Sequence, residues 1–555
     1  MKRIFLSFLC IAALLLSLAG CGANGAGGSA ADIAADDTDE YDAENAITLV
    51  FSDNGVSGGT GDGVETDGTA VTISASGTYV LSGSCADGSL KIKKGTQGVT
   101  LVLSGLSLTS SDTAPITCGK STEVTLLTLS GTVNELADSP ENNDETSPEN
   151  ENAENAVIKC KDGSVVTLCG GGTLNITALG KNGIKSGATT DEDGEASLTI
   201  RDLTLDITAS VNDAINAEQL LNVESGVITI TAADDAIHCD YVMNVGTDGT
   251  DGPSITVSDC YEGLEAAELN ILSGNIAIHA SDDCLNSANG DLSGYAFTLT
   301  VSGGTLVMDT TSGDGIDSNG DLTISGGTVI VWTANTADNQ PLDADGTIRI
   351  TGGTVLAAGG SAGMGMTLEA SQPYVTFGSG RMGGGFSGQR PDSQSGERPE
   401  LPSGEAPDGM TAPPELSDGA SGERPELPSG EAPDGTTAPP DLPDGASGER
   451  PELPSGEAPD ISAMTGDADT VSITKGSTIT IQAADGSVLY SGEAPCSAGY
   501  VFFSSADLTD GMSYTLLSGG TSLAEATATT EAQSESFDGG RRPDAMPAGR
   551  SGGSI

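Results

Sequence analysis

Acidic and amide residues recur at two fixed positions beside a short repeated phrase, in which a small residue precedes an Ile or Leu that we call the anchor. The pre-anchor column stands two positions before the anchors and comprises Asp213, Asp235, Glu262, Asp283 and Asp314. The post-anchor column stands one position after them and comprises Asn216, His238, Glu265, Asn286, Asp317 and Asp343. Carboxylate and amide oxygens are the ligands that Ca²⁺ takes in proteins, at about 2.3–2.6 Å.

Calcium binding is the chemistry that these two columns favour. If the anchor points inward on a strand, its neighbours point outward, and parallel strands stack such neighbours about 4.8 Å apart. One ion then fits between successive repeats and relieves the repulsion between stacked carboxylates. Turn capping and simple solvation are the competing interpretations, although turn chemistry does not require a Glu at both Glu262 and Glu265. The predicted ligands are Asp235, Glu262, Glu265, Asp283, Asn286, Asp314 and Asp317.

The same stretch carries few groups suited to act as a catalytic base. Residues 202–348 contain no Lys and no Arg, whereas elimination from an acidic polysaccharide needs a base beside the metal. His238 and His279 are the two histidines of the chain, and we interpret His279 as an outward strand residue. Paired carboxylates hydrolyse glycosides in many enzymes, but a column repeated over many coils is more typical of a ligand array. The sequence therefore favours a protein that is not an enzyme.

The anchors also predict the architecture. Nine of them recur at intervals of 21 to 42 residues from Ile116 to Leu342, with pairs of short alternating strands and Gly-Gly or Ser-Gly corners between them. Alternating β-branched and polar residues indicate strands, and short strands repeated at such intervals without helices indicate a solenoid. A β-propeller needs repeats of about 40 residues, which is too long. We predict an all-β, right-handed parallel β-helix with a small antiparallel β C-terminal cap and long disordered insertions.

The N-terminal residues are typical of an exported lipoprotein. Lys2 and Arg3 precede an apolar run that ends in Leu-Ala-Gly-Cys, which resembles the bacterial lipobox in which the cysteine, here Cys21, receives the lipid. An ordinary signal peptide is the alternative. The predicted location is the extracellular face of the bacterial cell membrane, with the lipid as the only membrane contact. Eight later cysteines show no C-x-x-C spacing, and either disulfides or small buried side chains account for them.

Composition divides the rest of the chain into segments. A 26-residue unit rich in Pro, Gly and Glu begins at Ser395 and recurs twice, which predicts a disordered loop within the cap. The predicted segments are a signal peptide at 1–21, a flexible tether at 22–69, the β-helix at 70–360 with an acidic insertion at about 137–155, a β cap at 361–519 interrupted by the disordered repeat at 380–466, and a disordered tail at 520–555.

The net charge of the chain excludes several classes of partner. Lys and Arg total 21 against 80 Asp and Glu, which gives a formal charge of −59. Nucleic-acid binding requires a basic surface that this chain lacks, and docking to anionic lipid requires one as well. We expect a monomer that binds neither nucleic acid nor the lipid surface directly.

Several of these phrases resemble the carbohydrate-binding domain family of clostridial and related bacteria, also described as cellulose- and pectin-binding β-helix proteins. The matching phrases include Tyr-Glu-Gly-Leu-Glu at 261–265 and Asp-Gly-Ile-Asp at 314–317, and the resemblance spans about 70–519 apart from the insertions. Gln340 and Pro341 depart from it, because an acidic residue and Gly are expected there. The resemblance implies a calcium-containing parallel β-helix, related in shape to pectate lyases, that binds plant cell-wall glycans without cleaving them.

We therefore predict a lipid-anchored, calcium-containing surface protein that binds polygalacturonate or cellulose. A face this acidic repels polygalacturonate unless a cation intervenes, so binding of that polymer should require calcium. Stacking on cellulose needs exposed aromatic rings, for which Tyr261, Tyr295 and Trp332 are the candidates, together with Tyr241. A polysaccharide lyase or glycoside hydrolase on the same scaffold, and an adhesin or surface spacer without a glycan ligand, are the alternatives.

Overall fold

The computed structural model describes residues 41–59, 61–292, 294–336, 339–360, 367–378 and 471–534. These residues form strands and turns and no α-helix, and they include no segment suited to cross a bilayer as a helix. The predicted signal peptide, Cys21 and the Pro-rich repeat at 380–466 lie outside the described residues.

The strands are short and follow one another closely along the chain. The first group comprises β1 (Ile47–Phe51), β2 (Ser57–Gly58), β3 (Val64–Asp67), β4 (Ala70–Ile73), β5 (Gly77–Cys85), β6 (Ser89–Ile92), β7 (Val99–Thr109), β8 (Ile116–Cys118), β9 (Glu123–Thr128), β10 (Val133–Ala137), β11 (Ala156–Cys160), β12 (Val165–Cys169), β13 (Thr173–Ala178), β14 (Asn182–Ser186), β15 (Ser197–Ile200) and β16 (Thr204–Ala209). The second group comprises β17 (Ile215–Ala217), β18 (Leu220–Val223), β19 (Val227–Ala232), β20 (Ile237–Val245), β21 (Ser254–Asp259), β22 (Leu264–Ile271), β23 (Asn275–Ala280), β24 (Leu285–Ser287), β25 (Thr298–Val301), β26 (Thr305–Thr310), β27 (Ile316–Ser318), β28 (Asp321–Ile324), β29 (Thr328–Trp332), β30 (Thr347–Ile350) and β31 (Thr354–Gly359). The last group comprises β32 (Thr367–Ala370), β33 (Tyr374–Phe377), β34 (Thr478–Ala483), β35 (Val488–Glu493), β36 (Tyr500–Ser504), β37 (Ser513–Ser518), β38 (Thr521–Thr527) and β39 (Gln533–Ser534).

Most of these strands pair in parallel with a strand two or three places further along the chain. For example, β16 pairs with β19, β19 with β21 and β21 with β23, residue on residue. Each set of two or three consecutive strands, which we call a coil, therefore lies directly on the next set. The fold is all-β and mostly parallel within one large sheet, which is compatible with the predicted solenoid.

The anchors form one continuous inward column, as the sequence predicted. Ile116, Ile158, Ile184, Ile215, Ile237, Leu264, Leu285 and Ile316 lie in register from coil to coil. Each of these side chains is buried, at 0% exposure. Full burial of one such side chain stabilises the fold by about 1.5–3 kcal/mol, so the column contributes much of the stability.

The cysteines act as small packing residues in this structure. Cys118 lies on Cys160, and Ala217 lies on Cys239, in a second inward column two residues after the anchor. Seven cysteines within the described residues are free thiols, and only the last of them is partly exposed: Cys85, Cys118, Cys160, Cys239, Cys260, Cys284 and Cys496. Burial raises the pKa of the Cys239 thiol to about 11. The buried cysteines therefore act as small packing residues rather than as a disulfide framework.

The C-terminal strands form an antiparallel layer, as expected for the cap. β36 pairs antiparallel with β31 and β33, and β34, β35, β37 and β38 form a separate antiparallel sheet. Val501 and Phe503 of β36 pack with Trp332, Leu356 and Val375 in a second hydrophobic cluster. This layer covers the outward face of β29 and β31, where apolar side chains replace the polar ones of earlier coils.

Two predicted boundaries are wrong, and the acidic insertion lies where it was predicted. The tether predicted to reach residue 69 ends earlier, because β1 pairs in parallel with β5 and buries Leu49 and Phe51. The acidic insertion at 137–155 forms a loop between β10 and β11. In this loop the side-chain amides of the buried Asn142 and Asn143 donate hydrogen bonds to backbone carbonyls. The tail predicted to be disordered from 520 begins with β38, which pairs with β37.

Candidate functional site

The post-anchor column is a continuous outward row whose chemistry changes along the fold. Its members lie in register on successive coils: Lys91, Thr117, Lys159, Lys185, Asn216, His238, Glu265, Asn286 and Asp317. Asp343 continues the row, since its backbone N–H donates to the Ile316 carbonyl of the preceding coil. The row is basic on the early coils and acidic on the late ones.

The pre-anchor carboxylates also hold the coils together. Oδ1 of Asp283 accepts the backbone N–H of Asp314 at 2.6 Å, and Oδ1 of Asp314 accepts that of Gln340 at 2.6 Å. Gln340 thus keeps the backbone contact although it departs from the family phrase. Gly315 follows Asp314 because a Cβ there would lie 2.6 Å from the Pro341 carbonyl oxygen of the next coil. The spacing of the phrase therefore reflects close packing between successive coils.

An acid cluster forms where Asp314, Asp317 and Asp343 meet. One carboxylate oxygen from each lies within 4.8 Å of the others. Burial, with neighbouring carboxylates, raises the pKa of Asp314 to about 7 and that of Asp317 to about 6. Burial likewise raises the pKa of Asp343. The sequence predicted Asp314 and Asp317 as ligands, and it placed Asp343 in the post-anchor column with Asp317.

Next to this cluster, Glu262, Asp283 and Asn286 form a second group. The Asn286 side-chain amide donates to Oε2 of Glu262 at 2.9 Å, and burial raises the pKa of Glu262 to about 8. Burial also raises the pKa of Asp283 to about 7. Oδ1 of Asn286 is buried without a hydrogen-bond partner among the described residues, and Oε1 of Gln340 is in the same condition. Such orphaned acceptors are costly, and a cation would satisfy them.

Asp235 and Glu265 are arranged differently, because His238 lies between them. Nδ1 of His238 lies 2.6 Å from Glu265 and 3.2 Å from Asp235, and its Nε2 lies 2.9 Å from Asp240. Burial opposes the charged imidazole, but the three carboxylates outweigh it and raise the pKa of His238. Oxygen and nitrogen atoms of Asp235, His238 and Glu265 also have the proximity of metal ligands. The imidazolium already supplies a positive charge at this coil.

The lysines of the early coils were not predicted to belong to the same row. Nζ of Lys185 donates to Oδ1 of Asn216 at 3.0 Å and pairs with Glu218 at 3.1 Å. Lys159 lies beside it with no ion pair among the described residues, and burial, with the Lys185 charge, lowers the pKa of Lys159. Their position directly after the anchors Ile158 and Ile184 was the available signal.

The three aromatic candidates differ in exposure. Trp332 is 2% exposed and packs beneath the C-terminal strands, so its prediction as a glycan-stacking residue is wrong. Tyr261 is 47% exposed, and a hydrogen bond to Asp282 raises its pKa to about 12. Tyr295 is half-buried, donates to Glu268 at 2.7 Å and meets Tyr241 edge-on at 6.2 Å. Within the described residues, Tyr261 is thus exposed on its own, and Tyr295 belongs to a separate group with Tyr241 and Phe297.

Comparison with known proteins found a matching family model, a relative and a solved structure. The model of a family described as carbohydrate-binding domain-containing protein matches residues 67–365. A protein of that description from Acetivibrio thermocellus is 30% identical over 174 residues, which are 30% of this chain and 55% of the relative. The chain thus matches about half the length of that relative. A solved polysaccharide lyase-like protein from C. thermocellum, a gadolinium derivative, is 23% identical with a TM-score of 0.32, over 55% of this chain and 96% of the other.

Proposed function

This chain belongs to the family of carbohydrate-binding domain-containing proteins, and we propose that it is a non-catalytic, calcium-containing module that binds cell-wall polysaccharide at the cell surface. Its partner is a polysaccharide, and we infer polygalacturonate as the acidic ligand that the late coils bind through calcium. We also infer that its coils wind as a right-handed parallel β-helix, because crossovers between parallel strands are right-handed in nearly all proteins. A lipid on Cys21 would hold this monomer on the outer face of the membrane.

The observation that carries the calcium proposal is the acid cluster together with its orphaned neighbour. One carboxylate oxygen from each of Asp314, Asp317 and Asp343 lies within 4.8 Å of the others. Asn286 has a buried oxygen without a hydrogen-bond partner among the described residues. The neighbouring charges that act on Asp314 are themselves carboxylates, so the described groups around it supply no compensating cation. All these donors are oxygens, which suits Ca²⁺ and not Zn²⁺. Bound there, calcium supplies the positive charge that uronate groups of a glycan need.

The positions of His238 and Lys185 support binding over catalysis. His238 stands three coils before Asp317 in the post-anchor column, a separation of about 14 Å along the stack. Lys185 is two coils further away. A base must come within hydrogen-bond reach of the proton that it removes while the metal holds the same sugar. These groups are too far from the acid cluster for that.

Co-sedimentation with insoluble polygalacturonate tests the proposal. The chain from residue 22 onward should pellet with the polymer in calcium and remain in the supernatant in EGTA. The double variant Asp317→Asn/Asp343→Asn should lose pelleting in calcium, while Asp248→Asn/Asp251→Asn, the same change on an exposed turn, should pellet as the parent does. The proposal would be overturned if the protein pelleted equally with and without calcium and if the Asp317→Asn/Asp343→Asn variant pelleted as the parent does. Release of unsaturated uronide would favour a lyase.

A further inference from the structure

A polar groove lies on a different face, formed by β7, β10, β13 and β16. It has a volume of about 500 Å³ and is lined by Ser107, Thr109, Glu135, Asn175, Thr177 and Asp206 among others. Ser107, Glu135, Asn175 and Asp206 lie in register on four successive coils. The groove therefore runs along the stack, and one polar side chain from each coil faces into it.

A small residue creates the hollow. Ala137 lies in register between Thr109 of the preceding coil and Thr177 of the following one. Its side chain is a single methyl group, so the surface is depressed between two threonines. Replacement of Ala137 by a larger residue would fill the groove without touching the buried core, because strand side chains alternate between the two faces.

The polar groups of the groove have unused hydrogen-bonding capacity. Ser107 donates weakly to Glu135 at 3.3 Å, and within the described residues the side chains of Asn175, Thr177 and Asp206 have no hydrogen-bond or ion-pair partner. Carboxylates only accept hydrogen bonds, whereas an amide and a hydroxyl both donate and accept. A ligand that suits this row must present several donors and acceptors along its length.

Charge and spacing narrow the class of ligand. Glu135 and Asp206 are two coils apart, which is about 10 Å, so a single metal ion cannot bind both at about 2.4 Å. The two carboxylates would repel a uronate. A neutral polyhydroxylated chain satisfies both requirements, since its hydroxyls donate to the carboxylates and exchange hydrogen bonds with Asn175 and Thr177.

We propose that this groove binds a neutral glycan without calcium, as a second site separate from the acid cluster. The inference rests on the proposed function only for the class of ligand, a polysaccharide. It assigns the groove a selectivity opposite to that of the late coils, where a cation is needed to attract an acidic chain.

Affinity electrophoresis in EGTA tests the groove, with hydroxyethylcellulose, arabinoxylan and glucomannan as neutral probes and polygalacturonate as the acidic one. The chain from residue 22 onward should be retarded by at least one neutral probe and not by polygalacturonate. Ala137→Leu and, separately, Glu135→Gln/Asp206→Asn should each weaken that retardation at least tenfold. Circular dichroism should show the same β content as the parent, and Asp248→Asn/Asp251→Asn should bind as the parent does.

The outcomes separate this proposal from the previous one. The groove proposal is overturned if no neutral probe retards the protein, or if both groove variants are retarded as strongly as the parent. Loss of calcium-dependent pelleting with intact neutral retardation removes only the acid-cluster proposal.

Discussion

The early and late coils place opposite charges at the same position of the repeat. Lys159 and Lys185 follow the anchors of two early coils, whereas Asp317 and Asp343 follow those of late coils. On the early coils the chain supplies its own cations, and Lys185 is paired with Glu218. On the late coils, burial raises carboxyl pKa values and no lysine lies nearby in the sequence. If the calcium proposal is right, an external ion neutralises on the late coils the position that carries a cationic side chain on the early ones.

His238 marks the transition between these two regions. It follows Asn216 and precedes Glu265 in the row, and it contacts carboxylates on its own coil and on the next. Its imidazolium is the last cation that the chain contributes to the row before the acid cluster. The calcium requirement should therefore begin beyond this residue.

The largest expected effect comes from calcium and pH together. Calcium at a hundred times its dissociation constant should raise the free energy of unfolding by about 2.7 kcal/mol. In EGTA the Asp314 carboxyl binds its proton more tightly when folded, since its pKa is about 7. Stability in EGTA should therefore fall as pH rises from 5 to 8, while the gain from calcium should grow, because ligands must be deprotonated. Calorimetric melting at both pH values measures this.

An identical melting temperature with and without calcium at pH 8 would contradict the first prediction. The control is the parent protein with Mg²⁺ in place of Ca²⁺, because Mg²⁺ demands a tighter octahedral geometry and sheds water reluctantly. Magnesium should give a much smaller gain.

A smaller effect is expected when the acid cluster alone is changed. Asp317→Asn/Asp343→Asn should remove about 1–2 kcal/mol of the calcium gain, because two of the charged ligands become neutral amides. In EGTA the same variant should melt at or above the temperature of the parent, since it relieves repulsion between half-buried carboxylates. Urea unfolding with and without calcium measures both, with Asp248→Asn/Asp251→Asn as the matched control. Destabilisation in EGTA would refute this account of the cluster.

The smallest effects should come from the lysines. Lys185→Met should cost about 1 kcal/mol, because half-buried Glu218 and Asn216 lose their partner. Lys159→Met should be neutral within about 0.5 kcal/mol, since that ammonium has no ion-pair partner among the described residues and lies beside Lys185. Neither variant should alter the calcium gain. Urea unfolding of both variants measures these changes in the free energy of unfolding. Equal losses of stability would show that ion pairing does not distinguish the two lysines.

Most of the fold was predictable from local patterns in the sequence. The anchors were predictable because a small residue, an Ile or Leu and an outward polar residue repeat within four positions, and each anchor from Ile116 to Ile316 is buried. The boundary at residue 70 was wrong because β1 has no repeat phrase, and only its pairing with β5 reveals it. Similarly, a tyrosine or tryptophan on a strand has the same local signature whether solvent or another strand covers it.

The sequence by itself determined which side chains point inward and which carboxylates share a column, because alternation along a strand is a property of neighbouring residues. The tertiary structure alone decided that Asp343 joins Asp314 and Asp317, and that His238 separates Asp235 from Glu265. These contacts depend on the register between coils that lie 21 to 31 residues apart. The burial of Trp332 under Phe503 depends on strands that return from far along the chain, which no local pattern records.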